Sequence, residues 1–200
     1  MKKIGIFILS LLIFISIFKP FHKNTLPNNL QEICDYAIQN GYNENYCLLV
    51  DFSKHSGQHR FYVYDIKNSK ICHKSLCAHG LGVCENNFEV FIQAFKTKNN
   101  PTFSNEIGSN YSCLGKFKVG KLRPMSNPYF EEGYILHGLD ASNSNTFDRA
   151  ILIHRGNLNF ETFPLPCLPV SKGCFGISSS AVEYIKQINQ TKPLLLYAYK

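Results

Sequence analysis

From residue 46 to residue 199 the apolar residues come in short runs, cut by polar or glycine-bearing breaks, and this punctuation limits the fold most. Runs of that length suit strands and are too short for long core helices. Residues 46–52 form one such run. Residues 60–66 alternate, with Phe61, Val63 and Asp65 on one face and Tyr62, Tyr64 and Ile66 on the other. Lys67, Asn68 and Ser69 then supply a turn into 71–77, so a hairpin is expected. Further short strands are expected at 115–119, 134–137, 150–154 and 194–199. The residues from Phe88 to Phe95 fit helix or strand, and Lys96 to Pro101 read as a polar break. Two helices stand out. Leu30, Ile33, Cys34, Ala37 and Ile38 have the spacing of one helical face, with Asn28 or Asn29 able to cap it and Gly41 to end it. Ser180 and Glu183 form an S-x-x-E pattern ahead of Val182, Ile185 and Ile188. The expectation is one β-rich domain with two small helices.

The chain begins with an address. Lys2 and Lys3 precede an apolar run over 4–18, which Lys19 and Pro20 end. A membrane-spanning helix needs about 20 apolar residues, so this length suits a signal peptide. No small-x-small cleavage site follows, since Phe18, Lys19, Pro20 and Phe21 are poor candidates. Export to the periplasm or cell envelope is expected, with the leader removed or kept as a membrane anchor. A mostly polar stretch with one proline, Pro27, follows. The domain reading is therefore 1–20 leader or anchor, 21–29 linker and 30–200 folded domain. Of the formal charge of +7, three units belong to Lys2, Lys3 and Lys19. The remainder is mild and lacks a Lys/Arg cluster that could track phosphates, which argues against nucleic acid.

Eight cysteines in an exported chain invite disulfides. Cys72, Cys77 and Cys84, near His73 and His79, also carry metal-ligand chemistry, but they lack a C-x-x-C spacing. Small core residues with one or two bridges are the favoured reading.

The chemistry concentrates near the C-terminus. In Ser171, Lys172, Gly173, Cys174, Phe175, Gly176, glycines flank the cysteine on both sides. Glycine permits a tight turn that exposes the sulfur and aims successive amides at one spot, as an oxyanion hole requires. The same turn could hold a disulfide or a buried thiol. His154 ends the apolar run 150–153 and precedes Arg155 and Gly156, so it sits where a strand meets a loop. An imidazole there can take the proton of a thiol that is otherwise mostly protonated at neutral pH. The two residues are too far apart in sequence for one helix, so only tertiary folding unites them.

The pattern I-L-I-H-R-G followed by S-K-G-C resembles the catalytic signature of the L,D-transpeptidase catalytic domains, and more closely the murein L,D-transpeptidase subgroup. L-L-V-D-F-S at 48–53, Y-V-Y-D-I at 62–66, A-H-G at 78–80 and F-S-N at 103–105 also resemble that subgroup. So do L-H-G-L-D-A-S-N at 136–143 and D-R-A-I-L-I-H at 148–154. The resemblance implies a mainly β, YkuD-like β-sandwich or partly open barrel with a few short helices. It implies Cys174 as nucleophile, attacking the carbonyl between the third residue of a peptidoglycan stem peptide and its terminal D-alanine, and His154 as its base. Gly173 and Cys174 would supply oxyanion amides, and Ser171 would shape the turn. His137 and Gly138 are candidates for the substrate cleft, His137 equally for a structural role. His79 and Gly80 match a motif read as structural, and Arg149 and Asp148 are expected to pair. No metal or organic cofactor is implied. The acyl-enzyme would go to an amine, giving a cross-link, or to water, giving an L,D-carboxypeptidase. In place of the proline usual after the nucleophile stand Phe175 and Gly176, which suggests a different lining of the site. That departure also motivates the alternative, a catalytically inactive wall-binding module of the same fold. Oligomeric state is not legible.

Overall fold

The computed structural model describes residues 26–126, 130–156 and 170–200. The leader and most of the linker lie outside them. Among the described residues no helix is long and apolar enough to cross a membrane.

The expected first helix forms as α1, Leu30–Gln39. Its end is set at Gly41, where the Tyr42 amide donates to the Ala37 carbonyl at 3.0 Å, the long bond of a Schellman closure. Ile33, Cys34 and Ala37 are buried, whereas Ile38, expected on the same face, is exposed. Leu26 already packs against this helix's cluster, so the folded body begins before residue 30. Strands β1 (Tyr46–Asp51), β2 (Phe61–Asp65) and β3 (Lys70–Ser75) follow as an antiparallel run. Asp65 closes the hairpin by accepting from the amide and side chain of Asn68, both at 2.9 Å.

A short β4 (His79–Gly80) leads to α2 (Asn87–Thr97), which resolves the ambiguous segment as helix. Asn86 caps it by accepting from the Glu89 amide at 3.0 Å, and it runs through the start of the expected polar break. Then come β5 (Gly115–Pro124), β6 (Glu132–Gly138), a single 3-10 turn (Ala141–Asn143) and β7 (Leu152–Arg155). The chain ends with β8 (Val170–Ser171), β9 (Phe175–Ile177), α3 (Ser179–Ile188) and β10 (Leu195–Tyr199). The cap of α3 is not Ser180 but Ser178, whose hydroxyl accepts from the Ala181 amide at 3.2 Å. The S-x-x-E pattern therefore lies inside the helix and not at its start.

Eight strands form one sheet in the order β3-β2-β1-β10-β5-β6-β7-β9, and β4 pairs with β8 apart from it. The two edges of the large sheet approach each other. The Ala78 amide, just past β3, donates to the Gly176 carbonyl at 2.8 Å, and the Ser178 amide donates to the Ser75 hydroxyl at 2.9 Å. The result is a mainly β, partly open barrel with three short helices. Alternation distributes side chains to its two sides. Phe61, Val63, Phe117, Leu136, Ile153 and Phe175 fill the interior, while Cys47, Leu49, Tyr62 and Tyr64 pack outward with Cys34 of α1.

The seven described cysteines are free thiols, so the expected bridges are not found among them; Cys167 lies outside the described residues. Cys47, Cys77 and Cys113 are fully buried as small core residues. Among the described residues no group of three His, Cys, Asp or Glu side chains is placed to hold a metal ion.

His79 is also interior. Its Nδ1 meets Arg60 Nη2 at 2.8 Å and its Nε2 meets Thr97 Oγ1 at 2.9 Å, tying β2 and α2 to β4. Arg60 is fully buried, donates to the Cys77 carbonyl through Nε and Nη2, and lies over the Phe52 ring. Burial, and secondarily the Arg60 charge, push the His79 pKa down to about 2. Protonation therefore favours the unfolded chain, where an ordinary imidazole titrates near 6.5. This contribution to stability is complete above that pH and shrinks as pH falls below it. Between pH 7 and pH 4.5 the loss should reach roughly 2–3 kcal/mol, read from urea unfolding at the two pH values. His79→Gln, which does not titrate, should flatten that difference; an unchanged slope would contradict the assignment.

Candidate active site

Strands β7 and β9 run parallel, with Ile153 opposite Phe175, His154 opposite Gly176 and Arg155 opposite Ile177. Ile153 and Phe175 point into the barrel and are fully buried. Side chains alternate along a strand, so His154 and Cys174, each one residue away, share the opposite, outer face. They are diagonal neighbours across adjacent strands, a separation that long side chains can bridge. Phe175 is thus a core residue that packs on Phe52 and Phe117 at 5.8 and 5.6 Å between ring centroids. The suggestion that it relines the site is corrected by this alternation. Gly176 does reach the site's face, beside His154.

His154 is flanked by glycines on both neighbouring strands, Gly176 on β9 and Gly133 on β6. The ring occupies the room they leave and stacks on Phe130, centroids 3.8 Å apart. Its Nδ1 lies 2.8 Å from the Arg155 carbonyl oxygen. A carbonyl can only accept, so Nδ1 carries the proton and Nε2 presents its lone pair. Burial lowers the pKa of His154, with the Arg155 bond opposing it, so the ring is a neutral base at neutral pH.

The turn before β9 is held from several sides. Gly173 has φ +111, and a Cβ there would lie 2.6 Å from Ile151 Cδ1 and 3.0 Å from the Tyr111 carbonyl oxygen, so only glycine fits. Ser171 Oγ donates to the Cys174 carbonyl at 2.7 Å and accepts from the Gly173 amide at 3.1 Å. The Gly173 amide is therefore engaged at rest, and Gly173 shapes the turn. Ser112, which the sequence reading missed, accepts from the Gly80 amide at 2.9 Å and donates to the Gly173 carbonyl at 3.0 Å. With β4 paired to β8 through His79–Val170 and Gly80–Ser171, the A-H-G segment becomes a wall behind the turn.

Arg149, expected to pair with Asp148, is used differently. It does not spend its guanidinium on Asp148; it donates to the carbonyls of Ser104 and Tyr111 and to the Ser109 hydroxyl. The loop that begins with F-S-N is thereby fastened beside Gly173. The only sequence signal for this was the position of Arg149 within the D-R-A-I-L-I-H motif. His137 shares the outer face of β6 and stacks on Phe147, centroids 5.0 Å apart. Gly138 does not open to that face. A Cβ there would lie 1.8 Å from the Asn143 carbonyl oxygen, so its role is the close packing of the 3-10 turn.

The Cys174 sulfur donates to the Ala150 carbonyl at 3.7 Å and receives the Leu152 amide. Among the described residues no hydrogen bond joins it directly to His154. Burial raises the thiol pKa above its ordinary value; the Leu152 amide and the Arg149 charge pull the other way. At rest the pair is thiol and neutral imidazole.

Residues 19–199 match the family of the L,D-transpeptidase catalytic domain. The chain belongs to that family. Its members are acyl-transfer enzymes, and the match covers every residue of the site. A search of curated proteins finds no match. Among solved structures, the L,D-transpeptidase of Xylanimonas cellulosilytica is similar at 13% identity and TM-score 0.42, over 82% of this chain and 68% of that one. A variant of the Enterococcus faecium L,D-transpeptidase is similar at 11% identity and TM-score 0.45, over 78% and 50%. The helical cell shape determining protein of Campylobacter jejuni is similar at 15% and 0.44, over 84% and 55%. The chain spans about half the length of several of these solved proteins, 49% for the Ldtfm carbamoyl enzyme with avibactam.

The neutral resting pair has a measurable consequence. Alkylation of Cys174 by iodoacetamide, followed by peptide mass mapping, should be slow at pH 7 and still climbing beyond pH 9. Arg149→Met removes a charge that favours the thiolate and should move the profile further alkaline. A midpoint near neutrality would contradict the geometry.

Proposed function

We propose that the protein is an exported cysteine L,D-transpeptidase that acts on peptidoglycan stem peptides through an acyl-enzyme on Cys174. The observation that carries this reading is the shared outer face of β7 and β9, where His154, with its Nε2 lone pair presented, is the diagonal neighbour of Cys174. Family membership supplies the reaction class.

In this mechanism the donor carbonyl enters between sulfur and imidazole. The Cys174 sulfur forms a bond to the carbonyl carbon as its proton passes to His154 Nε2. The Cys174 amide is the proposed donor to the oxyanion, since the Gly173 amide is held by Ser171. His154 then protonates the departing amine of D-alanine, leaving a thioester. An amine of a second stem resolves it into a cross-link, or water releases the shortened peptide. The Arg155 carbonyl accepts a hydrogen bond from Nδ1–H and stabilises the imidazolium formed between these steps. The sulfur must first leave the Ala150 carbonyl, a rotation about one side-chain bond.

Export rests on the basic and apolar leader at 1–20, which would place the domain in the cell envelope, either released or anchored. One observation favours the second reading, an inactive wall-binding module: the sulfur is turned toward Ala150 and bonded there. Turnover separates the two. Cys174→Ala and Cys174→Ser should abolish release of D-alanine from a tetrapeptide stem, with unfolding transitions unchanged. His154→Ala should cost about 10²–10⁴ in kcat. Wild-type rates in either cysteine variant would remove Cys174 from the mechanism, and a wild-type chain that binds stems without turnover would select the binding module.

A further inference from the structure

The outer face that carries Cys174 and His154 extends across β6 to β5. Cross-strand rows can be read from the register. Gly176, His154 and Gly133 form one row. In the next, Leu152 stands opposite Ile135, with Cys174 at its edge. One row further, His137 of β6 stands opposite Lys118 of β5. With strands about 4.8 Å apart and same-face residues about 6.7 Å apart, His137 lies roughly 12 Å from Cys174 and Lys118 roughly 16 Å.

This far end differs in character from the reacting end. Phe147 is 55% exposed, and its ring lies nearly parallel to His137, at 13°. Lys118 is exposed, and its charge adds to burial in holding the His137 pKa below its ordinary value. His137 is therefore a neutral, flat ring under a second flat ring, beside an ammonium. Lys116, on the same strand, is paired with Asp140 at 2.8 Å. Among the described residues Lys118 has no carboxylate partner.

We propose that Lys118, His137 and Phe147 form a subsite for a second carboxylate of the acyl-donor peptide, set back from the scissile carbonyl. Lys118 recognises the anion, and the His137–Phe147 pair packs against the peptide's apolar stem. An extended peptide advances about 3.3 Å per residue, and a lysine side chain with its ion-pair contact spans roughly 9 Å of the distance, so the carboxylate lies about two residues' length from the reacting carbon. A solvent-facing ion pair is worth up to about 1 kcal/mol, which is about a fivefold effect. The subsite therefore tunes selectivity without being essential.

The inference rests on the proposed function for the identity of the donor, and its test has a readout that does not. Two synthetic stem peptides are compared, one with the set-back carboxylate free and one with it converted to a carboxamide. The wild-type enzyme should show about a fivefold lower KM for the acid, with similar kcat. Lys118→Gln should erase that preference by raising KM for the acid alone, and Lys118→Arg should retain it. Phe147→Ala should raise KM for both peptides. The same acid-over-amide contrast should appear in Kd when the peptides are titrated into Cys174→Ala by calorimetry, so it can be seen even if turnover fails. An acid-to-amide ratio near one in wild type, or a ratio unchanged by Lys118→Gln, overturns the subsite while leaving the Cys174 chemistry untouched.

Discussion

The parallel ladder between β7 and β9 is the constraint on which the site depends. Ile153 and Phe175 anchor it from inside the barrel, both fully buried, with Phe175 set among aromatic rings of β1 and β5 surroundings. Because a strand's side chains alternate, burying those two residues forces His154 and Cys174 onto the other face. A register slip of one residue would turn the imidazole inward and the isoleucine outward. The core thus fixes the site's geometry without touching it. This also accounts for the bulky residue after Cys174: at a position facing the interior, an aromatic ring strengthens the ladder that holds the sulfur.

The turn ahead of β9 depends on a different kind of support. Its geometry is held by hydrogen bonds to backbone groups, from Ser171 within it, from Ser112 behind it and, through the neighbouring loop, from Arg149. Behind Ser112 stands the Gly80 amide, and next to Gly80 is His79, held between Arg60 and Thr97. A buried guanidinium bonded to carbonyls and a neutral imidazole is costly unless every donor finds an acceptor. Its presence here joins β2, β4 and α2 at the point where β4 meets β8, so the rigidity of the turn draws on the interior of the whole barrel.

What could be read from the sequence follows from the range of the interactions involved. The hairpin at 61–75 was legible because alternation and turn chemistry are local, and so was α1, whose periodicity and Gly41 terminus lie within a dozen residues. The shared face of His154 and Cys174 was legible only as two suggestive residues, united by resemblance to a family. The cap of α3 was misplaced because two serines two residues apart offer the same local chemistry, and packing against Ser75 chose Ser178. Ser112 and the backbone bonds of Arg149 were invisible, since a serine and an arginine carry no periodic signal and their partners are distant in sequence. Gly138 was legible as part of a motif, but not as a packing glycine, because the atom it makes room for belongs to Asn143.

The resting state of the site is set by a strained residue. Ala150 has φ +50, a left-handed conformation that costs a non-glycine residue about 1 kcal/mol. It ends a tight turn in which the Ala150 amide donates to the Phe147 carbonyl and the Ile151 amide to the Thr146 carbonyl, the place where glycine is usual. The buried Thr146, bonded through its hydroxyl to Asn143, keeps the turn closed. The strained geometry brings the Ala150 carbonyl to the Cys174 sulfur and starts β7 in the register that places His154. One turn therefore orients the base and gives the idle thiol an acceptor. Burial keeps both groups uncharged at rest, and in the proposed mechanism the thiolate forms only as a substrate carbonyl displaces that contact.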